Sequence, residues 1–138
     1  MTKSFEKELS ITTSRRTEFI DITEKVNLVI KESKIVDGIC YLFVPHTTAG
    51  ITINENADSS VVKDIIKKIS SLIPENEDYT HLEGNSDSHI KSTLTGNNLT
   101  IFVSGNKLKL GTWQGIYFCE YDGPRRWNVW VKIISDLG

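Results

Sequence analysis

No apolar run in this chain approaches the ~20 residues that a membrane-spanning helix requires. Its start, MTKSFEKELS, lacks the apolar stretch of a secretory signal, so secretion is not expected. Cysteine is scarce. Cys40 and Cys119 are the whole complement, too distant in sequence for a redox or zinc pair and too few for a disulfide scaffold. Each stands in an apolar run (GICYLFV and IYFCEY), where a free thiol serves as a small buried hydrophobe, and a reducing cytoplasm is the expected compartment. Sixteen Lys and Arg against 18 Asp and Glu leave a net charge of −2. Neither sign is in excess enough to point to nucleic acid or an anionic membrane as partner. Internal repeats, low-complexity tracts and Pro- or Gly-rich linkers are missing too, so residues 1–138 read as one soluble globular domain, long enough to bury a core.

What the chain does have is a sequence of short periodic segments. Residues 4–13 alternate as a strand would, and Asp21 or Thr23 caps a predicted helix through about Ser33, with Val26, Val29 and Ile30 on one face. The unbroken run ICYLFV predicts a strand covered on both faces, ended by Pro45, and GITIN predicts the next. Asp58 opens the clearest helix, since Val61, Val62, Ile65, Ile66, Ile69 and Leu72 recur at helical spacing until Pro74. Residues 75–89 show no periodicity, the mark of a functional or disordered loop. A helical turn around HIKSTLTG and strands at LTIFV, GIYFCEY and NVWVKII complete the reading. The expected class is α+β: a compact domain with mixed or antiparallel sheets and two main helices. Ile116–Tyr121 is bulky on both alternating faces, and a subunit interface would supply a second cover.

The candidate chemistry lies in two runs that contain every histidine, PHTTAGITINENAD and HLEGNSDSH. Imidazole and carboxylate are ligands for zinc and related ions. His81 and His89 bracket Glu83 and Asp87, and Gly84 permits the bend that would turn both rings to one point. His46 stands where an apolar strand emerges, either as a third ligand or as a satisfied histidine capping the core, and Thr47 and Thr48 add hydroxyl donors beside it. Glu55 is either a proton-handling group or a first-turn acid ahead of the helix. In GTWQG, Trp113 is either a core aromatic or a ring that stacks on a ligand, with Gln114 next to it. DGPRR is a turn by composition. Arg125, with Lys91, Asn85 and Ser86, would make an anion-binding wall.

HTTAGITINENAD, HLEGNSDSHIKS and LKLGTWQGIYFCEYDGPRR, in this order and at this length, resemble the YjbQ family of small bacterial and archaeal proteins over residues 4–134. The resemblance implies a compact α+β fold that assembles as a homotrimer, with weak, secondary thiamine-phosphate synthase activity joining hydroxymethylpyrimidine diphosphate to thiazole phosphate. It also implies site positions at His46, Thr47, Glu55, His81, Glu83, Asn85, Ser86, Asp87, His89, Trp113, Gln114, Glu120 and Arg125. Two positions depart from the pattern. Asn106 replaces a glycine before KLKLG, and Trp127 stands where a second arginine is usual, with Arg126 beside Arg125.

The resulting expectation is a divalent metal, zinc first and magnesium the alternative for a diphosphate substrate, held by His46, His81 and His89. Glu83 and Asp87 would orient the ligands, and Glu55 or Glu120 would move protons. Arg125, Lys91 and the amides near Gly84 would receive the leaving group's charge. The expected partner is a phosphorylated small molecule; the alternatives are a metal- or anion-binding trimer without catalysis, or a hydrolase or transferase acting on another phosphorylated metabolite.

Overall fold

Arg126–Ser135 alternates without a break. Trp127, Val129, Val131 and Ile133 turn inward, while Arg126, Asn128, Trp130 and Lys132 turn out. Such a strand can pair on both edges, and this one does. The computed structural model describes residues 3–137, and its strands and helices in chain order are β1 (Ser4–Thr12), β2 (Glu18–Asp21), α1 (Thr23–Ser33), β3 (Gly38–Phe43), β4 (Ala49–Glu55), α2 (Ser59–Leu72), α3 (Ser86–Thr95), β5 (Asn98–Ser104), β6 (Lys107–Leu108), β7 (Gln114–Glu120) and β8 (Arg126–Ser135). All pairings are antiparallel, in a five-stranded sheet β1-β8-β3-β5-β6 and a three-stranded sheet β2-β7-β4. The domain is α+β. The inner faces of the two sheets close on one core with Val26, Val29 and Ile30 of α1.

The bulky strand β7 is covered on both faces, and by its own chain. Ile116 and Phe118 enter the main core, while Tyr117 and Cys119 join Tyr121, Phe19 and Val62 of α2 in a second cluster. The subunit cover expected for this strand is therefore supplied within the chain. The reverse holds for β3. Its run ICYLFV is covered on one face only, and Tyr41 and Phe43 lie outward at 41% and 40% exposure beside Trp130. Both cysteines are buried and free, and burial pushes the Cys40 thiol up to about 12.

α2 begins as its sequence requires, with the Asp58 carboxylate accepting from Ser60 N at 2.9 Å. None of its residues is fully buried, so its apolar stripe is only half covered. The third helix is the main departure. Ser86–Thr95 was expected as loop followed by a single turn, but forms three turns whose buried residues are Asp87, Ser88, Lys91 and Ser92. A helix that buries polar groups shows no hydrophobic period. Asn106 takes the left-handed conformation expected of it, with φ 62°, and its amide bonds the carbonyls of Ile30 and Ile35.

Candidate functional site

α3 is fastened across the start of β4 and the end of β7. Ser92 Oγ donates to Thr47 O at 2.6 Å, Ser88 Oγ to Tyr121 O at 2.5 Å, and Ile51 N to Gly96 O at 3.0 Å. The approach is so close that a side chain at Gly50 would meet Gly96 O at 2.7 Å. Between α3 and the β3–β4 connection lies a cavity of about 470 Å³ walled by His46, Thr47, His89 and Thr93. A second hollow, about 350 Å³, is lined by Tyr79, His81, Ser86 and again His89. His89 thus connects the two histidine-bearing runs.

His81 and His89 hold their ring centroids 5.4 Å apart at an interplanar angle of 85°. Two imidazoles on one tetrahedral zinc, with Zn–N bonds of about 2.0–2.1 Å, place their centroids roughly 5 Å apart. The separation of the pair is close to that distance, with the rings set edge to face. The third expected ligand is engaged elsewhere. His46 Nε2 accepts the backbone N–H of Asn128 at 3.1 Å, and its ring lies edge-on to Trp127 at 4.5 Å. A neutral ring whose Nε2 accepts carries its proton on Nδ1, so the remaining nitrogen of His46 is a donor rather than a ligand. Burial also holds its pKa below the ordinary value, and the charge of Arg125 acts in the same direction. The three-imidazole set is corrected to a pair with a third ring across the groove. Among the described residues no three His, Cys, Asp or Glu side chains gather closely enough to hold an ion. Glu83, 73% exposed, comes only within 4.0 Å of His81.

Several other expectations are redirected. Asp87 is fully buried and accepts from Arg16 Nη1 and Nη2 at 3.1 Å each and from Lys91 Nζ at 2.8 Å, so it neither orients an imidazole nor moves a proton. Burial pushes its pKa upward, but these cationic donors outweigh it and hold the carboxyl below its usual range. Lys91 is committed to the same cluster and lines neither histidine cavity. Glu120 is also fully buried; it accepts from Thr13 Oγ1 at 2.6 Å, from Asp122 N at 3.2 Å and from the Trp127 indole. It thus fixes the wall behind His46, with no exposed oxygen for substrate. The Thr48 side chain is buried, whereas Thr47 is exposed to the groove.

Trp113 is not a core residue but 63% exposed, in a turn closed by Gly111 N donating to Gln114 Oε1 at 2.8 Å. Glu55 pairs with Gln114 at the far end of the three-stranded sheet, six residues along β4 from Ala49. At ~3.3 Å per residue this separates them from the groove by roughly 20 Å. One chain does not bring Glu55, Trp113 and Gln114 to the histidines.

Sequence reasoning missed Asp122 and Arg16. Asp122 Oδ2 accepts from Asn85 Nδ2 at 2.9 Å and from Arg125 Nη2 at 3.1 Å, tying the start of α3 to the DGPRR turn. The Arg125 guanidinium lies 4.8 Å from the Trp127 ring centre, on the same indole that His46 touches. Arg126 turns away to Ser10 Oγ at 2.6 Å, so the two arginines do not form a clamp. Only the acidic side chain in a Gly-Pro turn hinted at Asp122; nothing in SRR hinted at Arg16. The groove therefore combines His89, an N–H-donating imidazole at His46 and a hydroxyl from Thr47, with His81 in the adjoining hollow, while the Arg125 guanidinium lines neither cavity and reaches the groove's wall only through the Trp127 indole.

The family model described as UPF0047 protein YjbQ-like matches residues 7–136. UPF0047 protein MJ1081 of Methanocaldococcus jannaschii is 60% identical over 126 residues, covering 91% of each chain. UPF0047 protein YugU of Bacillus subtilis is 46% identical over 130 residues, covering 94% of this chain and 98% of its own. A YjbQ/UPF0047 family protein from Clostridium acetobutylicum superposes with a TM-score of 0.90 at 53% identity, covering 92% and 98% of the two chains. A YbjQ-like protein of unknown function from Sulfolobus solfataricus superposes with a TM-score of 0.93 at 32% identity, covering 99% and 100%. The chain belongs to the YjbQ/UPF0047 family.

Proposed function

We propose that this protein is an enzyme acting on a phosphorylated small molecule in the groove between α3 and the β3–β4 connection. The observation that carries the reading is the convergence of both histidine-bearing runs on that groove, with His89 lining both cavities and 5.4 Å from His81. His81 and His89 are the proposed protein ligands of a divalent ion, zinc for preference; its remaining positions would be filled by substrate oxygens, Glu83 or a neighbouring subunit. When bound, the metal would supply Lewis-acid stabilisation of charge on a phosphoryl oxygen. His46 would donate from Nδ1 and Thr47 from its hydroxyl to the phosphate. Asn85 and Asp122 would hold the start of α3 and Arg125 in place.

The reaction proposed for testing is thiamine-phosphate formation as a secondary activity. A C–N bond forms to the thiazole nitrogen while the C–O bond to diphosphate breaks, its electron pair leaving with pyrophosphate. The proposed assembly is a homotrimer. It would give the half-covered stripe of α2 and the outward Tyr41, Phe43 and Trp130 a surface to meet, and would offer the exposed Trp113 end of one copy to another.

Elemental analysis of untagged protein should find about one metal per chain, absent from His81→Ala and His89→Ala variants that keep their fold. Turnover of hydroxymethylpyrimidine diphosphate with thiazole phosphate should fall in the same variants. Wild-type turnover in both would remove the groove as the catalytic site, and failure of wild-type protein to bind metal would remove the ion.

A further inference from the structure

On the side of α3 opposite His89, one buried carboxylate serves two cations. Asp87 and Lys91 are one helical turn apart on one face, and His89 is rotated ~160–200° from them at 100° per residue. Two cations, Arg16 and Lys91, converge on the single buried carboxylate of Asp87. Among the described residues the other anion paired with them is Glu75, whose Oε1 lies 3.4 Å from Arg16 Nε and whose side chain is 52% exposed. The Lys91 side chain is 3% exposed, yet among the described residues its Nζ has one acceptor, Asp87, for its three N–H donors. A buried ammonium with two unmet donors requires an oxygen from somewhere.

The space for one is present. Arg16 and Lys91 floor a cavity of about 340 Å³ whose sides carry Thr17, Ser70, Asn76 and, at the mouth, Glu75. It lies between the β1–β2 turn, the end of α2 and α3, and it shares no lining residue with either histidine cavity. Tetrahedral oxyanions suit an arginine edge set beside an ammonium, with hydroxyl and amide side chains completing the shell. Glu75 already presents an oxygen to this arginine from the protein's own chain, as a weak and exposed competitor.

We propose that the Arg16–Lys91 cavity is a second binding site, for phosphate or the phosphate group of a small phosphomonoester, separate from the histidine groove. Occupancy would satisfy Lys91 and displace Glu75 from Arg16, so a bound anion would lock the turn at Arg16 against α3. The site does not depend on the metal assignment.

Inorganic phosphate titrated into the full chain, followed by calorimetry and by side-chain ¹⁵N shifts of Lys91 and Arg16, tests this. Saturable shifts at both residues are expected. Glu75→Gln should tighten binding by about 1.4- to five-fold, since an exposed ion pair is worth ~0.2–1 kcal/mol. Ser70→Asp, which adds a carboxylate to the cavity wall, should abolish binding while leaving the ring resonances of His81 and His89 unmoved. Methyl phosphate in a parallel titration separates the sources: an affinity at or above that of phosphate assigns an ester, a lower one the free ion, and either supports the site. Unsaturable or absent shifts at Lys91, or phosphate binding that Ser70→Asp leaves intact, would overturn it.

Discussion

The two faces of α3 differ in what holds their polar groups. Toward the β1–β2 turn, Asp87, Ser88 and Lys91 are buried and bonded to Arg16, to one another and to Tyr121 O. On the other side, His89 and Ser86 share a hollow with His81, and among the described residues the two imidazoles make no hydrogen bond, only their mutual edge-to-face packing and the loose contact of His81 with Glu83. Polar residues of similar type thus serve opposite ends. The inward face fastens the helix, and this lets the outward face leave its ring nitrogens uncommitted.

The most severe way to break the contrast is to unpair the inward face. Asp87→Asn should cost about 3–5 kcal/mol in urea unfolding, because Arg16 and Lys91 lose the anion between them. The pH dependence gives a second reading of the same group. The Asp87 pKa is lowered in the fold, so its contribution is complete above the unfolded value of about 3.9 and is lost as pH falls through the folded one. The difference between wild type and variant should therefore close below about pH 4.

Ser92→Ala removes the hydroxyl that ties α3 to Thr47 O, and about 1 kcal/mol of stability should go with it. His46 has a smaller effect of its own sign. Its folded pKa is lowered, so stability is present above the unfolded value near 6.5 and declines as pH drops below it; His46→Phe should flatten that slope between roughly pH 7 and 5. Smallest of all, His81→Ala should shift stability by no more than about 0.5 kcal/mol, since the ring is half exposed, while metal content falls to background. A large loss of stability in His81→Ala would mean that the outward face also holds the fold together.

Much of the architecture could be read from residue order. The alternation of β8, the helical spacing of α2 with its Asp58 cap and the left-handed Asn106 are local properties of the chain, written in side-chain size and polarity. α3 was hidden because its buried residues are Asp, Ser and Lys, which carry no apolar period. The short strand β2 was hidden because four residues show too little alternation to register. In the site, the pairing of His81 with His89 was legible from their spacing about a glycine. Asp87 was credited with chemistry because a carboxylate between two histidines resembles a catalytic set, and Glu120 because the family resemblance implied it. Burial and hydrogen bonding put both to structural use, and neither is visible without neighbours distant in sequence.

By itself, then, the sequence determined the α+β class, the family and the two runs that bear histidine, since these depend on periodicity and on residue identity in order. Only the tertiary structure decided which nitrogen of His46 is occupied, that Arg16 reaches Asp87, and that Trp113 and Glu55 stand apart from the groove. Those outcomes follow from distances between segments up to 82 positions apart. Such distances are set by how two sheets pack, and no local pattern encodes them.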